Sequence, residues 1–110
     1  MNKSEIENLH WHDGIIRKLV LESDENSKAS KIFIHASLID DSTRSPNLAE
    51  IELEYISVSK FNAICDLVEI AENKEHGNIH DFSIKGNNLR IILFDGYIDI
   101  SAKEYHVKKS

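Results

Sequence analysis

"EIELEYISVSKFNAICDLVEIAEN", residues 50–73, is where the reading of the fold is decided. Up to Ile56 the apolar residues Ile51, Leu53 and Tyr55 alternate with Glu50, Glu52 and Glu54. A period of two marks a strand with one buried and one solvated face. From Ser59 to Asn73 the period changes: Phe61, Ile64, Cys65, Leu67, Val68, Ile70 and Ala71 recur at spacings of three and four. That spacing predicts a helix with one buried stripe. Ser57 or Ser59 can cap its start, and Gly77 lies just past its end.

Working outward, Gly14–Glu22 and Lys31–Ile39 carry the apolar and β-branched content of strands. The polar stretches 23–30 and 40–47 separate them and read as surface loops. Downstream, Ile79–Lys85, Leu89–Phe94 and Tyr97–Val107 form three more strand-like segments. Gly86-Asn87-Asn88 joins the first two. Asp95-Gly96 joins the last two and is a signal for a type I′ hairpin, which needs positive φ at both central residues. The expectation is α+β, in the order βββ-α-βββ. It comprises a single mostly antiparallel six-stranded sheet with one helix packed on one face, folded as one domain over residues 1–110.

The chain has 110 residues, enough for a modest core without disulfides or a structural metal. No apolar run approaches the roughly 20 residues of a membrane helix. The opening MNKSEIEN is polar, unlike a secretion signal, so a cytoplasmic protein is expected. The single cysteine, Cys65, rules out an internal disulfide or a CxxC site. A net charge of −6 argues against direct nucleic-acid binding and suits a basic partner.

Few residues suggest chemistry. His10 and His12 share one face of an extended segment and with Asp13 could ligate zinc, but HxH is a short pattern. The structural alternative makes LHWHDG the entrance to the first strand, with Trp11 inserted at the core edge. His76 and His80 have ligand spacing on a helix, yet Gly77 and Asn78 between them should end one. His35 should lie on a strand face, and His106 has no evident partner. Cys65 falls on the apolar stripe, where a thiol behaves as a small hydrophobe. None of the four glycines forms a GxGxxG or phosphate-binding loop, and GxSxG is absent. No motif fixes an activity and no cofactor is expected; the alternatives left open are a small metal-binding protein or enzyme using His10, His12 and Asp13, and an oligomeric accessory domain.

The acidic stretch is the more informative feature. Between Glu50 and Glu75 lie seven acids against two lysines. Glu50, Glu52 and Glu54 share a strand face. Asp66, Glu69 and Glu72 follow the polar side of the predicted helix. Such a run is usually a solvated face; its functional reading is complementarity to a basic protein. Trp11, Tyr97 and Tyr105 are side chains enriched at interfaces. Large apolar residues on both faces of several strands leave room for a partner protein or a homodimer.

Two segments carry a resemblance. The start, Leu9-His10-Trp11-His12-Asp13-Gly14, and the end, "GNIHDFSIKGNNLRIILFDGYIDISAKEY" (residues 77–105), resemble small bacterial immunity proteins of polymorphic toxin and contact-dependent inhibition systems. The resemblance implies a non-enzymatic inhibitor that covers the active site or substrate surface of a cognate toxin domain, often a nuclease with a basic surface. It carries over no functional residue, because such proteins diverge quickly. The expected partner-binding residues, Glu50, Glu52, Glu54, Asp66, Glu69 and Glu72, rest on charge alone.

Overall fold

The computed structural model describes residues 2–23, 30–40, 47–65 and 78–109. A short helix α1 (Lys3–Glu7) precedes six strands: β1 (Ile15–Ser23), β2 (Ser30–Asp40), β3 (Asn47–Ile64), β4 (Ile79–Lys85), β5 (Asn88–Leu93) and β6 (Gly96–Lys109). All six belong to one antiparallel sheet in the order β1-β2-β3-β6-β5-β4. Each half is a three-stranded meander, and the two halves meet along β3 and β6.

The described chain is thus nearly all β, which corrects the expected α+β, βββ-α-βββ arrangement with a packed helix. Residues 59–64, the start of the predicted helix, lie in β3, which continues to Ile64. Residues 66–73 of that helix lie outside the described residues. The cause is a bulge between Val58 and Lys60. Ser57 enters it with φ 55°, and the extra residue resets the alternation. Beyond it, Phe61 and Ala63 pair with the core residues Ile100 and Ile98, while Lys60 and Asn62 pair with Ser101 and Asp99. Cross-strand pairing with β6 overrides a three-four spacing that is equally present in the sequence. The one described helix lies where none was expected. It is closed by a capping box, in which Asn2 Oδ1 accepts from the Glu5 amide at 2.8 Å and Glu5 Oε1 accepts from the Asn2 amide at 3.3 Å.

The core lies on the inner face of the sheet. Ile32, Ile34, Ala36 and Leu38 of β2 meet Ile51, Leu53 and Tyr55 of β3, Ile98 and Ile100 of β6, and Leu89, Ile91 and Leu93 of β5. Ile79, Phe82 and Ile84 complete it from β4, whose own bulge between Ile79 and Asp81 shifts the alternation. The sheet curls, so the starts of its two edge strands approach each other. The Asn78 and Ile79 amides donate to Gly14 O at 2.9 and 3.0 Å, and the Asp13 amide donates to Ile79 O at 2.9 Å. Asn78 Oδ1 also accepts from the Ile16 amide at 3.0 Å. Gly14 sits where a Cβ would lie 2.9 Å from the Trp11 carbonyl oxygen as well as 2.6 Å from Leu38 Cδ2, so a side chain there would force the backbone of the entrance segment to shift.

The segment before β1 closes this end of the core. Ile6 of α1 is fully buried and Trp11 is 4% exposed. The indole stacks on Phe82 with ring centroids 3.9 Å apart, and its Nε1 donates to Ile6 O at 2.8 Å. LHWHDG is therefore the entrance to the first strand, with Trp11 as the plug.

The β5–β6 hairpin turns one residue earlier than expected. Leu93 pairs with Gly96 around Phe94-Asp95, and neither turn residue has positive φ. Gly96 answers a different need: a Cβ there would lie 1.7 Å from Ile64 O. The end of β3 packs directly on its backbone.

Candidate functional site

The outer face of β1, β2, β3 and β6 gathers most of the described charged side chains that the sequence singled out. Antiparallel register sets them in rows across the strands. One row runs Lys18, His35, Glu52, Lys108; the next runs Val20, Phe33, Glu54, His106; a third runs Glu22, Lys31, Ile56, Glu104. Lys18, Val20, Phe33, His35, Glu52 and Glu54 line a groove of about 600 Å³, with His106 and Lys108 along its far side.

The three strand acids share this face, but they are not a bare acidic patch. Glu50 is half-buried and bound twice. Its Oε2 lies 2.5 Å from His35 Nε2, and the Ser37 hydroxyl, 3.0 Å from either oxygen, donates to the carboxylate. Arg17 Nε in turn donates to Ser37 Oγ at 3.0 Å. Glu54 lies 4.0 Å from Lys31 Nζ. Glu52 is exposed, between His35 and Lys108 in register. Asp66, Glu69 and Glu72 lie outside the described residues.

Ser, His and Glu side chains in contact invite a catalytic reading, and the geometry opposes it. A serine nucleophile needs its proton taken by a base and its oxygen open to substrate. Here Ser37 is 0% exposed and donates to Glu50, while accepting from Arg17. The cluster holds Glu50 in place and leaves no exposed nucleophile.

The histidine segment is placed differently from a zinc site. His12 Nδ1 bonds to His80 O at 3.0 Å, and His12 Nε2 lies 3.7 Å from Asp13 Oδ2. The ring beside His12 is His80 rather than His10, with centroids 5.4 Å apart, and Phe94 packs against both. Among the described residues no three His, Cys, Asp or Glu side chains are close enough to hold a metal ion. His76 lies outside the described residues. Cys65 follows β3, half-buried against the core.

Of the aromatics expected at an interface, Trp11 is in the core. Tyr97 lies beneath Arg90, with the guanidinium carbon 5.3 Å from its ring centroid. Arg90 also grips Asp99 through two bonds, Nε to Oδ1 at 2.7 Å and a terminal nitrogen to Oδ2 at 2.9 Å. This fork holds the Asp99 carboxyl below its ordinary range and raises the guanidinium above its own. The apolar strip of the outer face is formed by Val20, Phe33 and Ile56, all half-buried. Alternation along β2 puts Phe33 on the face of Lys31 and His35, and register with β1 and β3 brings Val20 and Glu54 beside it.

No helix among the described residues is long and apolar enough to cross a membrane. Comparison of the chain with known protein families, curated proteins and solved structures finds no match.

Proposed function

We propose that this protein is a non-enzymatic binding protein that neutralises a cognate bacterial toxin domain in the cytoplasm, docking it on the outer face of β1, β2, β3 and β6. The observation that carries the reading is the make-up of that face: an apolar strip of Val20, Phe33 and Ile56 set among side chains of both charges. An apolar centre with a polar rim is the anatomy of a protein interface. Charges of both signs select a partner by pattern and penalise a wrong one by like-charge contact. The net charge of −6 favours approach of a basic domain, and the resemblance to immunity proteins supplies the class of partner. Glu52 and Glu54 are the acids of this face best placed to contact it; Glu50 is occupied by His35 and Ser37.

The test is capture on the immobilised protein from lysate of the native cell, at low and high salt, beside the variant Glu52→Lys/Phe33→Ser. A single basic protein should be retained at low salt, released at high salt and missed by the variant. Its toxicity on expression should be relieved by the parent protein and not by the variant. Equal protection by both would sink the assignment of this face, and a captured protein without toxicity would sink the neutralising role.

A further inference from the structure

The two edge strands of the sheet bridge each other only at their starts, where Asp13, Gly14 and Ile16 meet Asn78 and Ile79. The outward edge of β1 from Lys18 to Ser23 has no backbone partner among the described residues. An edge of this length is a template for another strand. It also displays apolar side chains: Leu19 is 38% and Leu21 58% exposed on the inner side, with Val20 half-buried on the outer. The bulge between Ile16 and Lys18 lies before this stretch, so residues 18–23 keep a regular pleat.

We infer that β1 pairs with β1 of a second copy of this chain, antiparallel about a two-fold axis at Val20, joining two sheets into one. The sequence of the edge selects both the occupant and the register. A two-fold axis normal to the sheet must place some residue opposite itself, so only a few registers exist. Centred on Lys18 or Glu22, it sets like charges together. Centred on Leu19, it sets Lys18 against Val20 and Arg17 against Leu21; centred on Leu21, it sets Val20 against Glu22. Centred on Val20, every pair matches. Lys18 faces Glu22 of the second copy, Glu22 faces its Lys18, and the two exposed leucines face each other in both directions. Neither Lys18 nor Glu22 has an ion pair among the described residues, so both are available to the second copy. The pairing lies in the plane of the sheet and is read on the purified chain alone, although Lys18, Val20 and Glu22 also belong to rows of the outer face.

Sedimentation velocity of the purified full chain over a range of concentrations tests this. The parent should form a reversible dimer. Lys18→Glu and Glu22→Lys are both at exposed positions, and each replaces two attractive contacts by repulsive ones, weakening the dimer about tenfold. An equimolar mixture of the two variants restores opposite charges in every pair and should recover the dimer. A parent that stays monomeric overturns the inference. So does a dimer that both variants form as well as the parent, or a mixture no tighter than either variant alone.

Discussion

Trp11 joins three parts of the molecule through one side chain: its ring lies on Phe82, its Nε1 binds the end of α1, and its backbone leads into Gly14. Replacing it by alanine empties a large buried site, and the expected loss is about 3–5 kcal/mol in urea unfolding. Trp11→Phe, which keeps a ring on Phe82 but not the hydrogen bond, should lose clearly less. Tyr55 presents the opposite case. It is 1% exposed, and its hydroxyl finds no partner among the described residues. Burial and the neighbouring Tyr105 push its ionisation well above the usual value. An unsatisfied buried hydroxyl costs about 1–3 kcal/mol. Tyr55→Phe should therefore be neutral or raise the unfolding midpoint, and a marked drop would reveal a partner for the hydroxyl. At the surface, Arg90 holds Asp99 below the ordinary value of 3.8. A carboxyl with a lowered folded value binds fewer protons folded than unfolded. Its contribution is present above 3.8 and is lost as pH falls through the lower folded value. Asp99→Asn should flatten the acid limb of a stability profile; parallel limbs would show that the fork contributes nothing.

Two glycines in the hairpins separate conformational need from spatial need. Gly86 has φ +60° and open space around its missing Cβ, whereas Gly96 has no left-handed backbone but sits against the Ile64 carbonyl. Gly86→Ala should cost about 1–2 kcal/mol, the penalty of a left-handed conformation. Gly96→Ala must displace the end of β3 from β6 and should cost more, with chemical-shift changes reaching Ile64. Equal, small effects would mean that the two strands do not meet so closely. The same region shows what the sequence could reveal. Ile79–Lys85 is legible because its ends are marked by turn residues. Asp95-Gly96 is legible as a hairpin but misleads about its centre, since a glycine required for close approach looks like one required for φ. The segment 59–64 fits two periods at once, and only the bulge after Val58 and the partner strand β6 decide between them. On the outer face, the common direction of Glu50, Glu52 and Glu54 follows from alternation alone. That His35 and Ser37 bind Glu50, that Lys31 stands near Glu54 and that Lys108 lies opposite Glu52 depends on register between strands distant in sequence, which no local pattern encodes.

At the scale of the whole molecule, the sheet order β1-β2-β3-β6-β5-β4 divides the contacts into two kinds. Within each meander, neighbours in the sheet are neighbours in the chain. Between meanders, the seam of β3 and β6 runs from the pair Ile51 and Lys109 to the pair Ile64 and Tyr97, and the bridge between Gly14 and Ile79 joins their far ends. Because that seam is central and its strands are flanked on both sides, its amides should exchange with solvent most slowly, and those of β1 beyond Lys18 fastest. Fast exchange along β1 at low concentration that slows as concentration rises would accompany self-association. The seam has a further implication for assembly. Each meander can close its own hairpins early, whereas joining them requires two long strands to find each other across the intervening chain. The two meanders are in this sense complementary pieces of one sheet. Supplied as separate fragments, they should reassemble in trans, each acting as the template on which the other folds.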